Sequence, residues 1–91
     1  MPEFELLASQ IENCFGDLDD EEGLEALLEQ LEAYAELAPR ILEELHSLAS
    51  AGNAERCYTM VTQYAHRSPA SPAAAVEWVR QLDEQVRRQT A

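Results

Sequence analysis

Four side chains in this chain carry donor atoms suited to a transition metal: Cys14, His46, Cys57 and His66. No two of them fall at the short spacing of a zinc site. The pattern reads as two packed thiols and two solvent-reaching histidines. Nucleophilic catalysis has no better footing. Ser47, Ser50, Ser68 and Ser71 lie at or near expected helix ends, where hydroxyls serve as caps. Nothing resembles a nucleophile elbow, and three glycines are too few to build a phosphate loop. Paired carboxylates are abundant, but they sit on one exposed helix face. Acid–base work needs carboxylates held in contrasting environments within a cleft. The residues therefore name no catalytic group, no cofactor-binding group and no metal ligand.

What the acids do form is a ridge. Eight of them fall between Asp19 and Glu36, about one per 3.2 Å of helix at a rise of ~1.5 Å per residue. One DNA strand carries a charge every ~3.4 Å. Glu25, Glu29, Glu32, Glu36 and Glu43 are the candidate partner-binding residues on this face. A duplex mimic needs a second charged line, which Glu3, Glu5, Glu12 and Asp17 supply if the first helix packs alongside. Against this stands the plain alternative of a solvated helix face. Neighbouring glutamates three or four apart repel by roughly 0.2–0.5 kcal/mol per pair at low salt.

The stretch His46-Ser47-Leu48-Ala49-Ser50 is similar to the motif of histidine phosphotransfer domains, in which the histidine is followed after two residues by Lys and Gly. His46 and Leu48 match that pattern. Ala49 and Ser50 stand where Lys and Gly are expected, so the phosphoryl-stabilising cation is missing. Over five residues, the resemblance implies only a third-ranked reading: a helical-bundle enzyme or phosphotransfer protein using His46.

These groups must be positioned by helices. Leu24, Leu31, Ala38 and Leu45 recur every seven residues, with Leu27, Tyr34, Ile41 and Leu48 three after each. Leu28, Ala35, Leu42 and Ala49 widen the seam into a core-facing stripe. The stripe keeps phase across Pro39, which predicts one kinked helix over residues 20–51 rather than two. Leu31, Ile41 and Leu45 are its expected core positions. Asp19 with Glu22 forms a capping-box start. A first helix over residues 3–14 should have Pro2 at its first position and Gly16 as a left-handed stop. Apart from Pro39, the glycines and prolines read as element boundaries. Gly52 and Asn53 close one helix and open another over residues 54–66. Ser71 and Pro72 open the last, over residues 72–89. There is no strand-like alternation of useful length. The expected fold is all-α: one domain, residues 1–91, a small bundle of about four helices around a long Pro39-kinked one.

Composition bounds the function. Twenty-six strongly apolar residues and fourteen alanines suffice for a core, although burial is marginal at this length and self-association would help. The net charge is -12. Residues 1–50 hold fourteen acids against Arg40 alone, and residues 51–91 hold four acids and five arginines. Such a chain repels nucleic acid and anionic membrane and steers basic partners towards itself. No apolar run approaches membrane-spanning length, and no signal peptide is evident. Reduced thiols fit a cytoplasmic setting. The expectation is a non-enzymatic interaction module or adaptor, binding a basic protein through the acidic face, an apolar groove or both. A homodimer is an open option. The alternative is an acidic inhibitor of a basic or nucleic-acid-binding protein. Immunity proteins and DNA mimics of phage or plasmid origin are that class.

Overall fold

The structure, a computed structural model, describes residues 4–90. Its elements are all helical: α1 (Glu5–Phe15), α2 (Asp20–Ala33), α3 (Ala38–Ala51), α4 (Ala54–Thr59) and α5 (Pro72–Thr90). α4 runs directly into a π-helical segment, Met60–Tyr64. No strand occurs among the described residues. The globule measures 33 × 26 × 25 Å. Glu3 and Pro2 lie outside the described residues, so the expected start of α1 is not covered.

The helix expected to run through Pro39 is two helices. α2 ends at Ala33, and Tyr34 leaves helical geometry with φ -116° and ψ 59°. Residues 34–37 form a turn, and α3 begins with Pro39 in its first turn. The cause is steric. A proline at position 39 cannot donate to the Ala35 carbonyl and pushes that carbonyl away, so a helix must end well before it. In a first turn the missing N–H is not needed. The apolar repeat nevertheless survives in sequence. The turn is four residues long and is closed by Leu37 and Ala38 N–H groups donating to the Tyr34 carbonyl. It thus uses up about one helical repeat of 3.6 residues. Phase is preserved while the helix is not. With α2 and α3 separate, the bundle has five helices rather than about four.

Ends are set by several devices. The Asp19 side chain accepts from the Glu22 N–H at 2.8 Å, as the capping pattern predicts. That bond holds the Asp19 carboxyl below its ordinary range. The hydrogen bond shared with Asp19 pushes the Glu22 carboxyl up. Asn53 caps α4 through the Arg56 N–H, and Ser71 caps α5 through the Ala74 N–H. Gly52 ends α3 in the left-handed region, φ 62°, where glycine carries no Cβ penalty. Gly16 does not behave as expected, since its φ of -55° is right-handed. α1 has no local side-chain cap. Glu44 reaches over from α3 and accepts from the Leu7 N–H at 3.1 Å.

Leu31, Ile41 and Leu45 are buried as the stripe predicts, beside Leu7, Ile11, Phe15, Leu27, Leu48, Val61, Val79 and Val86. Gly23 is no boundary; it lies buried inside α2. A Cβ placed there would come within 2.3 Å of the Phe15 ring. Phe15 is thereby seated directly on the α2 backbone, edge-on to Trp78 with ring centroids 5.2 Å apart.

One cation fastens this region. Arg67 donates to the carbonyls of Phe15 (3.0 Å), Ala65 (2.6 Å) and Leu18 (2.7 Å) and to Asp20 Oδ1 (2.8 Å). Its guanidinium also lies 5.8 Å from the centroid of the Phe15 ring. Trp78 Nε1 donates to the same Asp20 oxygen at 3.2 Å. The α1–α2 loop, the segment before α5 and the first half of α5 are thus joined at one end of the bundle.

Candidate functional site

The five candidate glutamates are all exposed, but they do not share one helix. Glu25, Glu29 and Glu32 follow one another on α2 at spacings that keep them on one face. Glu36 lies in the turn after the break, and Glu43 belongs to α3. Glu43 borders a shallow hollow with Phe4, Arg40, Glu44 and Ser47. Glu32 borders a hollow of about 350 Å³ whose apolar wall is Leu28, Leu31, Ala38 and Leu42. None of the five forms an ion pair among the described residues. Other acids of the first half have structural duties: Asp19 caps α2, Asp20 holds Arg67, and Glu44 caps α1. α1 packs against α2, but its exposed Glu5 and Glu12 border the groove towards α4.

A larger concavity than these lies elsewhere. It is an open groove of about 940 Å³ between α1 on one side and α4 with its π-helical extension on the other. Ala8 and Met60, both nearly inaccessible, lie beneath Phe4 and Tyr64, which are half-buried. Exposed carboxylates stand on both walls, Glu5 and Glu12 from α1 and Glu55 from α4. Arg56 lies among them with its guanidinium 5.8 Å from the Phe4 ring centroid. The π-helical turn shapes this wall. The Ala65 N–H donates to the Met60 carbonyl, five residues back, and the Thr62 hydroxyl binds the Tyr58 carbonyl at 2.8 Å.

His46 has company that its sequence neighbourhood did not announce. Its Nδ1 lies 3.2 Å from Asp83 Oδ2 on α5, and its Nε2 lies 3.3 Å from Ser50 Oγ. Arg87 approaches the same Asp83 oxygen at 3.8 Å. Asp83 is the buried acid of the core, 7% exposed. The order serine, imidazole, carboxylate is the one that activates a nucleophile. Chemistry also requires donors for a developing oxyanion. Ser50 sits in the last turn of α3, where free carbonyls and the negative end of the helix dipole face it. That environment opposes an alkoxide or a tetrahedral oxyanion. The cluster instead satisfies a buried carboxylate and ties α3 to α5. Thirty-seven residues separate His46 from Asp83, a pairing no local spacing could disclose.

Cys14 and Cys57 are free and buried. Burial pushes the Cys14 thiol up to about 11 and shifts Cys57 in the same direction. Among the described residues, no three His, Cys, Asp or Glu side chains gather where a metal could be held. No described helix is long and apolar enough to cross a membrane. Neither a protein-family model, nor a curated protein, nor a solved structure matches the chain.

Proposed function

We propose that this chain is a non-enzymatic interaction domain that presents an acidic surface to a basic protein partner. The observation that carries the reading is the unspent charge of Glu25, Glu29 and Glu32. They are exposed and without ion pairs among the described residues, while nearby acids are committed to caps and to Arg67. Repulsion retained along a helix is the pattern expected where function competes with stability. Glu36 and Glu43 extend the acidic surface past the turn instead of along a single helix.

The second reading is an acidic inhibitor that occupies a basic or nucleic-acid-binding site of its target. The packing of α1 beside α2 favours it, because it sets a second acidic helix next to the first. The α2 line itself is short, since fourteen residues span only ~21 Å. Self-association belongs to the same picture. Tyr34 is 51% exposed, and the hollow walled by half-buried Leu28, Ala38 and Leu42 opens between α2 and α3, which gives a second copy something to cover.

The test is a variant in which Glu25, Glu29, Glu32 and Glu36 are all changed to Gln, assayed against the partner captured from source cells. We expect a slightly more stable fold, because the like-charge contacts each cost a few tenths of a kcal/mol. We also expect weaker binding with a shallower salt dependence. Equal affinity and equal salt slope for the variant would end the reading.

A further inference from the structure

We infer that the groove between α1 and the α4–π segment is the docking site for a basic amphipathic helix of a partner protein. This inference goes beyond the proposed function: the groove is a second acidic surface, separate from the α2 glutamates. Three observations converge on it. First, the groove presents half-buried Phe4 and Tyr64 beside the deeper Ala8 and Met60, with Glu5 and Glu12 on one wall and Glu55 next to Arg56 on the other. An apolar stripe edged by Lys or Arg, most densely on the side that meets α1, is the complementary surface. Second, both walls are helical and the groove is open to solvent along its length. The α1 residues that line it run from Glu5 to Glu12, about 12 Å, which accommodates roughly two turns of a third helix. Third, the wall opposite α1 carries the π-helical segment Met60–Tyr64. π-helical turns recur at functional sites, and this one carries Met60 and Tyr64 into the groove. Methionine adapts its shape to a varied partner surface. The excess of acid over base on the whole chain accelerates encounter with such a partner.

The experiment uses the full chain, isotopically labelled for NMR, and a peptide of about 14 residues, long enough for four turns. The peptide carries leucines at helical spacing and lysines elsewhere. A scrambled peptide of the same composition and a version with Glu for Lys are the controls. Amide shifts on adding the lysine peptide should concentrate at Ala8, Met60, Tyr64 and their neighbours. The scrambled and acidic peptides should bind at least about tenfold more weakly, equivalent to ~1.4 kcal/mol. A triple variant, Glu5→Gln, Glu12→Gln and Glu55→Gln, should lose about tenfold in affinity, whereas Glu25→Gln, Glu29→Gln and Glu32→Gln together should change it by less than about twofold. Equal binding of the striped and scrambled peptides would overturn the groove assignment. So would shifts confined to α2 with full affinity in the groove variant, an outcome that leaves the acidic-surface reading standing. No binding of any basic peptide would likewise overturn the groove assignment.

Discussion

Gly23 shows how one absent methyl group can organise a core. In a helix interior, alanine is preferred to glycine by roughly 1 kcal/mol. Here a Cβ would meet three carbons of the Phe15 ring at 2.3–2.8 Å. Phe15 cannot retreat easily, because it is fully buried and braced by Trp78. We therefore expect Gly23→Ala to destabilise the protein by about 1–3 kcal/mol, read as a lower urea midpoint. A gain in stability would show that the ring has room to move. Cys14 is the residue whose chemistry burial suppresses most. Its folded-state pKa lies near 11, above the ordinary thiol value of 9.0. The neutral thiol is thus favoured by folding, and the unfolded chain gives up its proton first. Its contribution to stability is fully present below about pH 9 and is lost as pH rises towards 11. We expect a slow reaction with thiol reagents at pH 8 in the native state and a fast one in urea. The fall in melting temperature above pH 9 should be shallower in Cys14→Ala.

Elements stand or fall by their ends and by what joins them. Arg67 joins three segments through one planar group, and lysine has no comparable fork of donors. Charged hydrogen bonds of this kind contribute about 1.5–3 kcal/mol each before mutual dependence is allowed for. Arg67→Ala should cost about 2–3 kcal/mol, and Arg67→Lys should recover less than half of it in chemical denaturation. Full recovery by lysine would mean that charge alone, without the fork, suffices. Nothing in its sequence neighbourhood marks Arg67 as a clamp. Its three carbonyl partners and Asp20 lie up to fifty-two residues away, beyond any local pattern. What local rules govern was legible: the caps at Asp19, Asn53 and Ser71, the left-handed Gly52, and the burial of Leu31, Ile41 and Leu45. The helix break was not legible from the apolar phase, because a turn of nearly one helical repeat leaves that phase intact. The acids were legible as a run, but not their division into caps, clamps and free charge. That division depends on Arg67 and Leu7 arriving from elsewhere in the chain. The groove was invisible for the same reason, since its two walls are some forty residues apart in sequence.

On the scale of the whole molecule, the two proposed associations should respond oppositely to salt. Docking of a basic helix is driven by attraction and weakens as ions screen it. Pairing of two copies, each with a net charge of -12, is opposed by repulsion and strengthens with salt. Sedimentation equilibrium at micromolar concentration should show a dimer whose population rises with added salt. A mass that stays near 10 kDa under both conditions would rule it out.

The Arg67 clamp also gives the bundle a direction in time. One end is pinned by Arg67, Asp20 and Trp78. The far end of α2, about 20 Å away along its axis, is a turn with exposed Tyr34, near the tail of α5 at Gln89 and Thr90. A structure fastened at one end and loose at the other opens like a clothes-peg. We expect hydrogen exchange to show the amides where α2 hands over to α3 exchanging before those around Phe15; the reverse order would show that the Arg67 end opens first. If the α2 glutamates are the docking surface proposed above, a bound partner should slow exchange at this turn.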